Sequence, residues 1–328
     1  SHYFEIVKMG TLFIDRSDLN VRLDGQALSF YFNGERQGTA PVNPLKRVVV
    51  VGNAEVSASA LHKLADMGIH VLFLGGKGHR FKGIFRGRLH NNAILRVRQY
   101  QKSLLPFANQ TAREIVLRKI KGQHGLLETA LDQRPDLRKP LFDAAKTLDE
   151  ICRKIGEKPQ IEKPSLMGME GGAAAAYFAA YTQLFAPSLM FVKREKRPPK
   201  DPVNALLSLS YTMLHFETVR EIEMIGLDPF IGFFHEFDYG RESLACDMVE
   251  MFRPVVDQWV WDLFRKREFT GSDFTEGEER AGCYLKKDGR KKYYLLYEEF
   301  MNGVRPDIVG EVRALARRIM DGEDAVLE

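Results

Sequence analysis

Cysteine is nearly absent from this 328-residue chain: three residues, Cys152, Cys246 and Cys283, with no Cys-x-x-Cys pair. An odd, scattered count argues against a disulfide framework and against a zinc knuckle. A reducing cytoplasm is the simplest compartment for it. Long apolar runs are also missing. None reaches the ~18 residues of a membrane span, and residues 1–9 lack the charged start and apolar stretch of a secretion signal. Neither sign of charge dominates. The 48 Lys and Arg against 44 Asp and Glu leave a formal charge of +4, so affinity for a polyanion must come from local clusters rather than from the average. There is no internal repeat and no Gly-x-x-x-x-Gly-Lys-Ser/Thr phosphate loop; Gly75-Gly-Lys-Gly reads as a turn. What is there is 45% hydrophobic residues, enough for a sizeable core, in a length that suits two domains.

Residues 10–85 read as strands. Thr11-Leu-Phe-Ile-Asp, Val21-Arg-Leu, Ala27-Leu-Ser-Phe-Tyr-Phe, Arg47-Val-Val-Val-Val and His70-Val-Leu-Phe-Leu are short β-branched or aromatic runs, punctuated by Asp-Gly, Asn-Gly and Gly-Asn turns. One helix interrupts them over 57–67, with Ser57 as its cap and Gly68 as its stop. After Leu89 the spacing changes. Residues 91–131, 134–158, 165–185, 201–225, 241–268 and 304–321 carry apolar residues at i, i+3, i+4, the helical period. Pro106, Pro135, Pro164, Pro202 and Pro306 fall at or near the expected boundaries. The predicted class is α+β: a small β-rich domain over 1–85, then a larger all-α domain over 86–328. Residues 81–89 form the expected linker. Residues 190–200 read as an exposed basic loop with tandem prolines, and 282–297 as a hairpin around Asp288-Gly289.

The chemistry-bearing residues lie in the second domain. Gly226-Leu-Asp-Pro-Phe-Ile-Gly-Phe-Phe-His235 places an imidazole on a turn rich in Gly and Pro. The following helix carries Asp247 and Glu250 three residues apart, on one face, with Cβ atoms about 5–6 Å apart. Two like charges there repel unless a cation neutralises them, and Arg241 and Arg253 are rival neutralisers. Glu170 heads a run of small residues, Gly171 to Ala176, that would let its helix approach a neighbour closely. One His with two or three carboxylates is a ligand set for a divalent cation, and the imidazole suits Mn²⁺ better than Mg²⁺. A surface histidine and a solvated acidic pair would look the same in a sequence, so both readings stand at this point.

In order and spacing these residues resemble one family: a Glu in a Gly/Ala-rich helix, then Gly226 to His235, then Arg241-Glu-Ser-Leu-Ala-Cys-Asp247-Met-Val-Glu250-Met-Phe-Arg-Pro254. The chain resembles the CRISPR-associated integrases of spacer acquisition, the Cas one family, over essentially its whole length. The resemblance implies a metal-dependent DNA endonuclease and integrase with Glu170, His235 and Glu250 as catalytic metal ligands, Asp247 as a nearby supporting acid that can also ligate, and Mg²⁺ or Mn²⁺ as the cofactor. The family often carries Asp where Glu250 stands. It also implies a homodimer formed through the β-rich domain, and a small ferredoxin-like CRISPR adaptation protein whose dimer bridges two such pairs. Captured duplex DNA would be joined to the repeat array by 3′-hydroxyl attack.

Three basic stretches would then lie along phosphates without reading sequence: Arg80, Lys82, Arg86 and Arg88; Lys193, Arg194 and Arg197; and Lys286, Lys287 and Arg290. Solvated loops would explain each stretch equally well one at a time. Two other readings are weighed: a structure-selective repair nuclease acting on branched DNA with the same metal chemistry, and a non-catalytic DNA-binding scaffold. Dependence on the small partner and on a repeat boundary separates the first alternative. Failure to bind Mn²⁺ would favour the second.

Overall fold

The computed structural model describes residues 5–8, 10–76, 78–276 and 282–321. Lys77, inside the Gly75–Gly78 run read as a turn, lies outside them. The chain divides into two compact units. One takes the residues up to Leu89 together with Asp273–Glu276 and Tyr284–Pro306; the other holds the helices from His90 to Ser272 and resumes at Asp307. Among the described residues no helix is long and apolar enough to cross a membrane.

The first unit is built on two sheets. Strands β1 (Glu5–Lys8), β2 (Thr11–Asp15), β6 (Arg47–Val51), β8 (His70–Leu74) and β9 (Phe81–Phe85) form a five-stranded sheet in the order β1-β2-β6-β8-β9. Its middle three strands run parallel and its two edges antiparallel. Strands β3 (Asn20–Asp24), β4 (Ala27–Phe32), β5 (Glu35–Pro41) and β7 (Glu55–Val56) form the second sheet, in the order β5-β4-β3-β7. Helix α1 (Ala58–Asp66) is capped by Ser57, whose hydroxyl accepts from Ala60 N at 3.2 Å. Leu12, Ile14, Val21, Leu28, Phe30, Val48, Val50, Leu64 and Val71 make the core. Strand β2 is buried at every residue, which is why it reads as a continuous apolar run rather than an alternating one. Phe13 stacks on Tyr294 at 4.5 Å, and Asp15 receives Arg290 Nε and the Tyr294 hydroxyl, both at 2.7 Å.

The second unit contains α2 (Ala93–Ser103), α3 (Pro106–Gln133), α4 (Arg138–Glu157), α5 (Lys163–Tyr181), α6 (Pro202–Ile225), α7 (Ser243–Glu250) and α8 (Arg253–Arg265). The periodic stretches 91–131 and 241–268 each resolve into two helices. Pro106 opens α3 and Pro254 sits in the first turn of α8, where a missing N–H costs nothing. Helix α3 is the hub and packs against α4, α5, α7 and α8. Its buried stripe is Ile115, Val116, Lys119, Ile120, Gln123, Leu126, Leu127 and Ala130.

Three expectations are corrected. Residues 81–85 of the expected linker are strand β9, paired antiparallel with β8. Strands β10 (Phe274–Glu276) and β11 (Cys283–Leu285) pair, but residues 286–297 are no hairpin: a helix, α9, runs from Lys287 to Met320. Asp288 sits in its first turn, where a carboxylate favours the exposed N–H groups. Gly289 is a packing glycine, since a Cβ there would lie 3.0 Å from Leu285 Cδ2 and 3.3 Å from Asp273 O. Pro306 marks no helix boundary and lies inside α9. The division between the two units falls directly after it.

Candidate metal centre

The loop that presents His235 is fixed from both ends. Helix α6 stops at Gly226, whose φ of +98° suits a residue without a Cβ. Buried Gln99 of α2 then holds the loop backbone: it donates to Asp228 O at 2.8 Å and Ile231 O at 2.9 Å, and accepts from Asp228 N at 2.8 Å. Asp247 of α7 holds the other end. Its carboxylate accepts the N–H groups of Phe233, Phe234 and His235 at 2.6, 3.0 and 2.8 Å. Gly232 makes this approach possible, because a Cβ there would sit 2.8 Å from the Ser243 carbonyl carbon and 2.9 Å from Asp247 Oδ2.

Asp247 also sets the imidazole. His235 Nδ1 lies 2.7 Å from Asp247 Oδ1. The wholly buried carboxylate holds the Nδ1 edge of the ring, so Nε2 is the edge turned towards Glu250. That Nε2 faces Glu250 Oε1 at 3.9 Å. The predicted i, i+3 acidic pair is therefore spanned by one histidine, and both Asp247 oxygens are taken up by the loop and the ring.

Glu170 on α5 and Glu250 on α7 meet at Lys119 on α3. The ammonium is 2.6 Å from Glu170 Oε1 and forms an ion pair with Glu250 Oε2. Arg253 Nε lies 3.2 Å from Glu250 Oε1, outside hydrogen-bond alignment. Burial pushes the Glu250 carboxyl up, but Arg253 and Lys119 outweigh it and hold the group at about 2. Burial pushes Lys119 down, and the Glu250 and Glu170 charges more than reverse this, so it stays an ammonium. Of the two rival neutralisers Arg253 takes the role. Arg241 instead donates to Glu236 O and lies 3.8 Å from Asp238. Of the small residues after Glu170, Gly171 is exposed with open space where a Cβ would go, whereas Ala173 is fully buried and a Cβ at Gly172 would lie 3.9 Å from Ile151 of α4.

Behind Glu250 lies a second buried acid. Asp257 of α8 accepts the Tyr177 hydroxyl at 2.7 Å and the Tyr211 hydroxyl, and its carbonyl accepts the Tyr181 hydroxyl at 2.8 Å. Burial drives its carboxyl up to about 6 against the pull of the tyrosines and of Arg253 and Arg194. Both arginines lie over the Tyr211 ring, at 4.6 and 5.4 Å from its centroid. Tyr211 thus packs beneath the site, while His215 pairs with Glu242 at 3.2 Å.

The basic residues fall into two groups. Arg80, Lys82, Arg86 and Arg88 are exposed on and around β9, as are Lys193, Arg197, Lys286 and Lys287. Arg194 and Arg290 are committed internally. Arg194 donates to Asn204 Oδ1 at 2.8 Å and Ser208 Oγ at 3.1 Å, and Arg290 to Asp15. Asn204 Nδ2 also holds Lys193 O at 2.8 Å. The loop read as exposed and basic is laced to α6. Lys119 and Asp257 were not singled out as site residues from sequence, although each interrupts an apolar helical stripe, which is a usable signal.

The donors fit a divalent cation. Two carboxylates meet at one ammonium and an imidazole nitrogen lies 3.9 Å from one of them, a donor set of the kind that holds such an ion. Among the described residues, however, no group of three His, Cys, Asp or Glu is drawn together at ligating spacing. An ammonium stands between the two glutamates.

A strand-rich unit joined to a helical unit that sets one histidine among acids matches one family of proteins. Residues 12–299 match the family described as CRISPR associated protein Cas1, and the chain belongs to it. It is 50% identical over 318 residues to CRISPR-associated endonuclease Cas1 1 of Thermodesulfovibrio yellowstonii, covering 97% of this chain and 99% of that one. It is 32% identical to a CRISPR-associated exonuclease Cas4/endonuclease Cas1 fusion of Geobacter sulfurreducens, covering 88% of this chain and 52% of that one. In fold it is similar to a CAS1 protein from Thermotoga maritima, with a TM-score of 0.82 at 24% identity over 98% of this chain and 100% of that one. It is also similar in fold to a casposase bound to integration product, with a TM-score of 0.81 at 20% identity over 97% and 92% of the two chains.

Proposed function

We propose that this chain is a metal-dependent DNA endonuclease and integrase that inserts captured DNA fragments into a CRISPR repeat array. The observation that carries the reading is the meeting of Glu170 and Glu250 at one ammonium, with His235 Nε2 3.9 Å from Glu250, in a chain half identical to a CRISPR-associated endonuclease over nearly all of its length.

Glu170, His235 and Glu250 would hold Mg²⁺ or Mn²⁺, which when bound supplies Lewis acidity at a phosphodiester. Asp247 would hold the Nδ1 edge of His235 and so present Nε2 to the metal. Arg253 and Lys119 keep Glu250 ionised. In strand transfer the incoming 3′-oxygen forms a bond to phosphorus, the repeat's P–O3′ bond breaks, and a proton passes from the incoming to the departing hydroxyl. Arg80, Lys82, Arg86, Arg88, Lys193, Arg197, Lys286 and Lys287, all exposed, would meet phosphates. A homodimer through the strand-rich unit, and a bridging dimer of a small ferredoxin-like adaptation protein, complete the proposed assembly.

The test is strand transfer on a branched DNA resembling a half-integrated product, with Mn²⁺, Mg²⁺ or chelator. The wild type is expected to release and rejoin strands only with metal, and Glu170→Ala to do neither. Cutting without rejoining, with or without the small partner, would favour a repair nuclease. Binding without reaction in every combination would favour a scaffold.

A further inference from the structure

The most unusual group in the helical unit is the Lys119 ammonium. It projects from the buried stripe of α3 and its side chain is 11% exposed. It reaches two carboxylates on two other helices, Glu170 on α5 and Glu250 on α7. A lysine in such a stripe loses hydration and side-chain freedom, so its place needs a reason. Its neighbours supply one. Lys119 and Arg253 balance Glu170 and Glu250 in formal charge.

This position is also the one a divalent cation would need. Carboxylate oxygens ligate Mg²⁺ or Ca²⁺ at about 2.0–2.6 Å. Lys119 Nζ already stands 2.6 Å from Glu170 Oε1 and as an ion pair on Glu250 Oε2. A cation bridging those two oxygens would overlap the ammonium, so the two cannot occupy the place together.

We infer that Lys119 is a resident counter-cation that holds Glu170 and Glu250 together until a divalent metal displaces it. The inference rests on the proposed metal site. It makes metal affinity a competition: the observed value is the intrinsic affinity of the three ligands reduced by the cost of expelling the lysine. Displacement also changes the charge of the site. Exchanging the ammonium for a divalent ion, with the lysine turned outward, makes a site meant for phosphodiesters one unit more positive than before.

The experiment is a Mn²⁺ titration of the full chain by electron paramagnetic resonance, with thermal unfolding in parallel. Lys119→Met keeps the length of the side chain and removes the competitor. It is expected to bind Mn²⁺ at least about tenfold more tightly than wild type, about 1.4 kcal/mol. Without metal it should melt lower than wild type, because two glutamates are left facing each other, and Mn²⁺ should raise its melting temperature more. Lys119→Arg keeps the charge and is expected to fold without metal. Its fork can grip both carboxylates at once, so it should bind Mn²⁺ more weakly than wild type. The predicted order of affinity is Met above Lys above Arg.

Equal affinity in all three, with binding lost in Glu170→Ala, would leave the metal site standing and overturn the displacement. Weaker binding by Lys119→Met would overturn it too, since the lysine would then be a partner of the metal. Mn²⁺ binding that survives Glu170→Ala, or binding by none of the proteins, would overturn the metal site itself and the inference with it.

Discussion

Asp257→Asn should remove a pH dependence that burial builds into the helical unit. Asp257 is buried, and its carboxyl is pushed up to about 6 from an ordinary 3.8. Between those values the unfolded chain releases this proton while the folded chain keeps it. The folded state then binds more protons, so stability falls as pH rises through the window. A shift of about two units at 1.36 kcal/mol each gives a loss of about 3 kcal/mol, complete a little above pH 6. Above that, the wild type carries a buried carboxylate answered by the Tyr177 and Tyr211 hydroxyls, with Arg253 and Arg194 nearby. The asparagine can still meet both hydroxyls, as acceptor to one and donor to the other.

The quantity to follow is the stability of wild type minus that of Asp257→Asn, which cancels groups common to both. It should drop by about 3 kcal/mol between pH 4 and pH 6.5 and then stay level. Glu250 titrates oppositely: held at about 2, it adds stability above pH 4.5 that is lost as pH falls towards 2, but it does so in both proteins. Urea unfolding read by tryptophan fluorescence is the assay. The chain has two tryptophans, Trp259 and Trp261, both on α8 beside Asp257, so the signal reports this unit. A difference that is flat across the window, or that rises with pH, would refute the reasoning. A rise would mean that the tyrosine donors outweigh burial.

Other expected outcomes are more local. Asp247→Asn puts a donor against backbone N–H groups and disturbs the His235 ring; it should cost about 3 kcal/mol and weaken Mn²⁺ binding about 10- to 100-fold, read by melting and titration. Gly232→Ala forces a Cβ to within 2.9 Å of Asp247 Oδ2 and should destabilise by about 1–3 kcal/mol. Gly125→Ala, mid-helix with open space around it, should stabilise by up to about 1 kcal/mol. Replacing Arg80 and Lys82 by alanine should flatten the salt dependence of DNA binding by about 0.9 in log–log slope per lost phosphate contact. Arg194→Ala should instead lower the melting temperature, because its guanidinium holds Asn204 and Ser208.

The order of strands and helices was legible because local signals agreed with tertiary ones. Val48 and Val50 of β6, the Ser57 cap and the prolines opening α3 and α6 each stand where their own chemistry prefers. The failures came where one local signal had two physical causes. Asp288-Gly289 is a hairpin signature, but the same pair serves a helix whose first turn wants a carboxylate and whose packing against Leu285 and Asp273 leaves no room for a Cβ. That misreading hid the return of residues 284–306 to the strand-rich unit, which depends on Tyr294 and Arg290 meeting Phe13 and Asp15 far away in sequence.

The site divides along the same line. His235, Asp247 and Glu250 share one stretch of chain, so their spacing carried the information, and the loop and helix keep them together. Lys119, Glu250 and Asp257 interrupt the buried faces of three different helices. Each helix by itself announces a charge that must be answered, since an unpaired ion in such a stripe is too costly to keep. None announces the answer. Lys119 could be matched with Glu170 and Glu250 only once α3 was known to pack against both α5 and α7. A buried ionisable residue in an amphipathic helix is therefore a half-statement about a site, and the packing of the hub helix supplies the other half.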